Sequence, residues 1–170
     1  MLHPADYPIL LFVDILNPYK GTLPMANRGS TKSFTNAVSE WTEKAIRDAT
    51  DIARAGAKEF VAEYQDATPK VSGNLANSTH VAASPADLIK GTPDQKYADP
   101  TAANNAVIDA MELGDKVYVA QVAAYSGKAE FGYVGSDGTP VAGHFQGLTT
   151  AAKWKGMVRR LAKLRGRKVK

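Results

Sequence analysis

Apolar residues recur at steps of three and four along residues 33–64, a stretch without proline. They are Phe34, Val38, Trp41, Ala45, Ala49, Ile52, Gly56 and Phe60. This period predicts one long amphipathic helix, with charged pairs such as Glu40 and Lys44 on its solvated faces. A helix of this length spans about 45 Å at 1.5 Å per residue, which is more than a small sheet covers. We therefore expect part of it to contact a neighbouring subunit.

The next segment is a corner. Thr68-Pro69 ends the helix because proline disfavours helical geometry in the residue before it and has no amide N–H. Gly73 permits a sharp reversal, after which the chain restarts as a polar turn or short helix. The segments that follow predict a short strand over 79–83 and an irregular excursion over 84–100. A helix is predicted over 102–113, with Thr101 as N-cap and Gly114 after its end. A buried strand over 116–123, a loop or hairpin over 132–145, and a last helix from Leu148 or Thr149 to Leu164 complete the chain.

Residues 118–132 are expected to run as a strand, then as a small-residue segment that ends in Glu130-Phe131-Gly132. Glu130 is the one acid that suggests a specific role, because it stands between small residues at the predicted turn. A general acid would need a partner group and a pocket, and the sequence identifies neither. We expect Glu130 to form a salt bridge inside the fold or across a subunit contact.

The chain divides into three parts. Residues 1–32 form an N-terminal arm that holds four of the nine prolines, residues 33–164 form a single domain, and residues 165–170 form a basic tail. Two explanations of the arm remain open: an extended structural segment, or an overextended reading frame whose natural start is Met25.

Composition is that of an ordinary globular domain, with 44% hydrophobic and 22% charged residues in 170. The absence of cysteine excludes disulfides and thiolate chemistry. The apolar run over residues 7–16 contains Asp14 and follows no Lys or Arg, so it does not fit a signal peptide. No stretch reaches the roughly 20 apolar residues of a membrane helix.

Charge is distributed unevenly. Residues 153–170 contain nine Lys or Arg and no acid, although the net charge of the whole chain is only +4. Two interpretations remain open: a helix with a solvated basic face and a frayed end, or an element that contacts DNA phosphates, with Trp154 available for packing or stacking. The candidate DNA-facing residues are Arg159, Arg160, Lys163, Arg165, Arg167 and Lys168.

Catalytic patterns are weak throughout. The three histidines, His3, His80 and His144, have no second ligand at metal spacing, and there is no Gly-x-Ser-x-Gly elbow. The glycine-rich stretch over 132–143 lacks the ending of a phosphate-binding loop. We expect no enzyme activity, no metal and no cofactor.

Taken in order, several motifs resemble the tail-component family of long-tailed bacteriophages. After the long helix come Thr68-Pro69, then Ser72-Gly73-Asn74-Leu75 and Ser78, and later Tyr125-Ser126-Gly127-Lys128-Ala129-Glu130-Phe131-Gly132 and the loop Pro140-Val141-Ala142-Gly143-His144-Phe145. The match covers about residues 33–160. It departs from the family at Ser72, where threonine is usual, and over residues 124–126, where Pro-Tyr-Ala is more common.

The resemblance implies an α+β domain, in which a long N-terminal helix packs on a twisted, mainly antiparallel sheet and a shorter helix closes the chain. It also implies a virion structural protein, a neck or tail-completion component that forms a ring, with six subunits expected, at the head-tail junction. Such a ring joins the tail to the head, contacts other connector and tail proteins, and lets DNA pass. The predicted subunit interface comprises Trp41, Glu130, Phe131, Tyr133, His144 and Phe145.

Two alternatives remain. One is a tail terminator or minor tail protein. The other, from a different class, is a small basic nucleic-acid-binding protein that uses the C-terminal tail. No membrane partner is expected, and the protein is expected in the virion after assembly in the host cytoplasm.

Overall fold

The computed structural model describes residues 11–13 and 31–167. In chain order its elements are β1 (Leu11–Val13), α1 (Thr31–Ala67), α2 (Asn74–Asn77), β2 (Thr79–Ala82), a 3-10 turn (Pro85–Asp87), α3 (Thr101–Ala110), β3 (Val117–Gln121), α4 (Ser126–Phe131), β4 (Gly132–Val134), β5 (Pro140–Ala142) and α5 (Gln146–Arg167). The predicted α+β fold is confirmed. Most of the predicted arm over residues 1–32, Met25 included, lies outside the described residues.

α1 is the predicted long helix, slightly extended at both ends. The Thr68 hydroxyl donates to the Tyr64 carbonyl oxygen at 2.7 Å, so one carbonyl at the end of the helix gains a partner. Pro69 prevents further helix. Gly73 then adopts a left-handed conformation with φ 76°, which reverses the chain at no steric cost. α2 follows at once, as the corner motif predicts.

Three strands form an antiparallel sheet in the order β1-β3-β2. The central strand β3 is buried on both faces, as its apolar composition predicts. The outer edge of β2 is covered by Asn104 of α3. Asn104 accepts a hydrogen bond from the Val81 amide at 2.9 Å and donates to the Thr79 carbonyl oxygen at 2.8 Å. This side chain therefore satisfies backbone groups that would otherwise form an open sheet edge.

The core lies between α1, α5 and one face of the three-stranded sheet. Phe60 is its centre, with ring contacts to Tyr64 at 6.3 Å and to Trp154 at 6.1 Å between centroids. Gly56 brings the two long helices together, because an added Cβ there would lie 3.2 Å from the Trp154 ring. The buried apolar residues that form this core cluster are Ala53, Ala57, Phe60, Val61, Tyr64, Val81, Ile108, Met111, Val117, Val119 and Met157.

The excursion over residues 84–100 is irregular apart from the 3-10 turn, as predicted. The later part of this excursion is bound by hydrogen bonds to Asn74 at the start of α2. The Asn74 side chain accepts from the Tyr97 amide at 2.8 Å and donates to the Gln95 carbonyl oxygen at 3.0 Å. Asn77 adds a donor to the Tyr97 carbonyl oxygen at 3.2 Å. The corner and the excursion therefore form one hydrogen-bonded unit.

The predicted helix over 102–113 needs correction at both ends. α3 begins at Thr101 with Pro100 in the N-cap position, and the Thr101 hydroxyl donates to the Asp99 carboxylate at 2.5 Å. Thr101 is therefore not the N-cap. The helix ends at Ala110, and Gly114 belongs to the turn that follows, with φ 100°.

The segment between β3 and the hairpin is also different from the prediction. Residues 126–131 form the short helix α4, where the small-residue segment after the strand was expected. β4 and β5 confirm the predicted hairpin. The chain crosses itself closely beside it, since a Cβ at Gly132 would lie 2.3 Å from the Val141 carbonyl oxygen and one at Gly143 2.2 Å from the Glu130 carbonyl oxygen. Both positions require glycine.

α5 begins at Gln146, two residues before the predicted start, and continues to Arg167. The first part of the predicted tail over 165–170 is thus helical. α5 runs antiparallel to α1, because Lys153 contacts Glu63 near one end and Arg165 contacts Asp48 near the other.

A matched pair of substitutions tests the core. Ile108 is completely buried, whereas Ile89 is 76% exposed. We expect Ile108→Ala to lower the free energy of unfolding by about 2–5 kcal/mol, through lost transfer energy and the cavity left behind. Ile89→Ala should change it by less than about 0.5 kcal/mol. Urea denaturation followed by circular dichroism measures both, and similar losses would show that the core is placed wrongly.

Candidate assembly surfaces

The N-terminal part of α1 extends past the helix that packs beside it. α5 ends two residues after Arg165, and Arg165 binds Asp48 and Asp51 of α1. The roughly 17 residues of α1 before Asp48 therefore project by about 25 Å. On this projection Phe34, Val38 and Trp41 are 53%, 39% and 49% exposed. Their spacing places them on one face, which we call the helix-end surface.

A second apolar surface lies on the β4–β5 hairpin and its flanks. Tyr133 and Val141 are cross-strand partners, and both are exposed. Beside them Phe131 and Phe145 form a T-shaped pair with centroids 6.4 Å apart. Phe145 has φ 51°, a left-handed conformation that costs an ordinary residue energy. These four residues, Phe131, Tyr133, Val141 and Phe145, are the hairpin surface.

A groove of about 280 Å³ separates the hairpin from the corner over residues 69–75. Its titratable side chains are Lys128, Tyr125, Tyr133 and His144. The Lys128 ammonium lies 5.5 Å from the centre of the Tyr133 ring, a cation–π contact. The lining includes no carboxylate.

Glu130 lies inside the subunit, with no exposed surface. Its carboxylate accepts hydrogen bonds from the backbone amides of Gly147 at 3.0 Å and Leu148 at 3.1 Å, in the first turn of α5. Free amides and the helix dipole both favour a negative charge at this end. The predicted salt bridge and interface role of Glu130 are therefore corrected: its side chain holds the start of α5 against α4.

Buried polar side chains continue from this point into the core. Gln146 donates to the Gln121 side-chain oxygen at 3.2 Å, and Gln121 donates to the Thr68 hydroxyl at 2.7 Å. All three residues are buried. The chain of bonds joins α5, β3 and the end of α1, so it fixes how these elements meet.

Tyr64 borders the same region. Burial, and secondly the charge of Glu130, raise the pKa of its hydroxyl far above the ordinary value of tyrosine. The group thus stays protonated at physiological pH. Its oxygen has no hydrogen-bond partner among the described residues. The groove lining includes none of these buried polar groups.

The cations of α5 fall into two sets. Three of them pair with carboxylates of α1: Lys153 with Glu63 at 2.5 Å, Arg160 with Glu59, and Arg165 with Asp48 at 2.9 Å and Asp51 at 2.5 Å. Lys155, Arg159 and Lys163 are exposed and form no ion pair with the residues that the structure describes.

The predicted DNA-facing set changes accordingly. Arg160 and Arg165 form ion pairs with carboxylates of α1, so part of their charge is balanced within the fold. Arg159 and Lys163 remain candidates. The Arg167 side chain and Lys168 lie outside the described residues. Trp154 is not available for stacking, because its ring packs on Phe60 and Gly56.

The predicted interface residues other than Glu130 are exposed, and four of them lie close together. Phe131, Tyr133, His144 and Phe145 gather at the hairpin, whereas Trp41 lies on the projection of α1. The sequence interpretation missed Gln121 and Gln146. The sequence offered a signal for Gln121, because its amide side chain stands within an apolar strand. It offered no comparable signal for Gln146.

Two kinds of site are absent from residues 11–13 and 31–167. No three His, Asp or Glu side chains gather there in a way that would hold a metal ion. None of the helices in this part of the chain combines the length and apolar character needed to cross a bilayer.

The chain matches no family model, and comparisons with curated proteins and with solved structures likewise gave no match.

Substitutions of Glu130 test its role at the start of α5. Glu130→Ala leaves one buried and one half-buried amide without an acceptor, so we expect a loss of about 1–3 kcal/mol in the free energy of unfolding. Glu130→Gln keeps one oxygen acceptor and should lose less. Chemical denaturation measures both variants, and an Ala variant as stable as wild type would contradict the assignment.

Proposed function

We propose that this protein is a structural subunit of a long-tailed bacteriophage virion, which assembles into a ring at the head-tail junction. The ring joins the tail to the head and leaves an opening for DNA. One observation supports the proposal most. Two exposed apolar surfaces lie at opposite ends of α1, a helix about 55 Å long.

The position of the surfaces favours a head-to-tail contact between copies. The helix-end surface lies near Thr31, whereas the hairpin lies against the corner that follows Ala67. A subunit with two different exposed apolar surfaces can bind one neighbour through each surface. Contacts of this kind close into rings when the rotation per subunit permits. A self-complementary pair would instead need only one surface.

The chemistry of the surfaces also suits assembly. The helix-end surface and the hairpin surface contribute five aromatic residues, all 44% or more exposed: Phe34, Trp41, Phe131, Tyr133 and Phe145. Aromatic anchors of this kind dominate the binding energy of protein interfaces. The motif order from Thr68 to Phe145 agrees with a tail-component protein. A ring of six subunits and contacts with other connector proteins form part of the proposal.

Assembly can be tested by substituting one surface. Val38→Gln with Trp41→Gln removes two apolar side chains at exposed positions while keeping good helix formers. We expect the wild type to form ring-sized particles in sedimentation velocity and negative-stain images, and this double variant to sediment as a monomer. Ile89→Gln is the control, since Ile89 is exposed outside both surfaces.

A mixing experiment tests the head-to-tail arrangement. The hairpin variant Tyr133→Thr with Val141→Thr keeps strand formers and an intact helix end. Each variant alone should be monomeric, but the two together should form a one-to-one dimer through the remaining intact surfaces. A hairpin variant that still self-associates would overturn the arrangement. A wild type that stays monomeric, alone and with head or tail connector proteins, would overturn the proposed function.

A further inference from the structure

The free cations of α5 share one line on the helix. Lys155, Arg159 and Lys163 follow each other at intervals of four residues, so successive side chains lie about 6 Å apart along the axis and on the same side. We call them the basic stripe. The ion-paired cations of α5 point to α1 instead. The stripe therefore carries the part of the α5 charge that the described fold does not neutralise.

The stripe is bordered by small residues. Ala152, Gly156, Ala162 and Gly166 are all exposed on this side of α5. A Cβ added to Gly156 or Gly166 would meet nothing within 4 Å. Each glycine inside a helix costs about 1 kcal/mol relative to alanine, and packing within the described subunit does not require either one. Their effect is to let a flat or convex partner approach the helix backbone.

The character of this face selects the class of partner. A bilayer surface would require large apolar side chains next to the cations, but the bordering residues are alanine and glycine. The exposed leucines of α5 lie further away, Leu148 two turns before Lys155 and Leu164 on a different face of the helix. Single-stranded nucleic acid would require aromatic platforms for its bases, and Trp154 is packed against Phe60. Duplex DNA presents a regular row of charges that winds around its axis, with one phosphate per about 3.4 Å of axis on each strand. The stripe covers about 12 Å of axis, or three to four phosphates.

We propose that Lys155, Arg159 and Lys163 form a binding face for the phosphate backbone of double-stranded DNA, without regard to base sequence. The three side chains contact phosphates of one strand, and the small residues between them allow the helix to lie close to the groove edge. The inference does not rest on the proposed ring, because a single subunit carries the whole stripe.

Fluorescence anisotropy with a labelled DNA duplex of mixed sequence tests the proposal. Three phosphate contacts predict that the association constant falls about 40-fold between about 50 and 200 mM salt. The triple variant Lys155→Gln, Arg159→Gln, Lys163→Gln should lose this salt-dependent binding. A second duplex of different base composition should bind the wild type equally well. No binding by the wild type at low salt would overturn the proposal.

A matched pair of single variants separates the stripe from net charge. Lys163→Gln and Lys96→Gln remove the same charge from exposed lysines, but only Lys163 belongs to the stripe. Lys163→Gln should lower the slope of log affinity against log salt by about 0.9, whereas Lys96→Gln should leave it unchanged. If both substitutions lowered the slope equally, the binding would depend on net charge alone, and the proposed role of the basic stripe would be refuted.

Competing partners are tested with the same proteins. Tighter binding to a single-stranded oligonucleotide than to the duplex would refute the duplex assignment. Stripe-dependent binding to vesicles of phosphatidylserine, with none to DNA, would replace it with a membrane surface. The triple variant should assemble as the wild type does in sedimentation velocity, so loss of DNA binding and loss of assembly can be told apart.

Discussion

The carboxylate of Glu130 and the first amides of α5 make the contact on which the arrangement of the molecule depends. Burying a charged carboxylate is costly unless hydrogen bonds compensate it, and here Gly147 and Leu148 supply two from a helix N-terminus. The contact attaches α5 to α4, and the crossing at Gly132 and Gly143 attaches the hairpin to the same point. The hairpin surface is thereby held on the body of the protein at a defined place.

The direction of α5 follows from this attachment. Its buried residues meet α1 around Phe60, and its cations meet the carboxylates of α1 along both helices. Because α5 has 22 residues and α1 has 37, the pairing leaves the first part of α1 without a helical neighbour among residues 11–13 and 31–167. The difference in helix length creates the helix-end surface. The same pairing neutralises one side of α5 and leaves the basic stripe on the other.

The sequence pattern correctly predicted the elements that have a strong hydrophobic period or that end at a proline or glycine. The step of three and four along α1, the proline and glycine of the corner, and the apolar run of β3 all act through nearby residues, and each prediction is confirmed. α4 was missed because a helix of six residues is too short to show a period. Thr101 was misplaced as an N-cap because Asp99 competes for its hydroxyl.

Roles of side chains were less predictable than elements. Residues 33–167 contain in their order the length and apolar period of α1, the corner and the apolar run of β3, because these depend on contacts within a few residues. The burial of Glu130, the packing of Trp154, and the choice of which α5 cations are paired depend on partners 17 to 117 positions away in the chain. Such contacts arise only when packing sets the register of α5 against α1. An acid expected in a salt bridge, inside the fold or across a subunit contact, thus becomes a helix cap, and the basic C-terminal segment divides into a paired side and a free one.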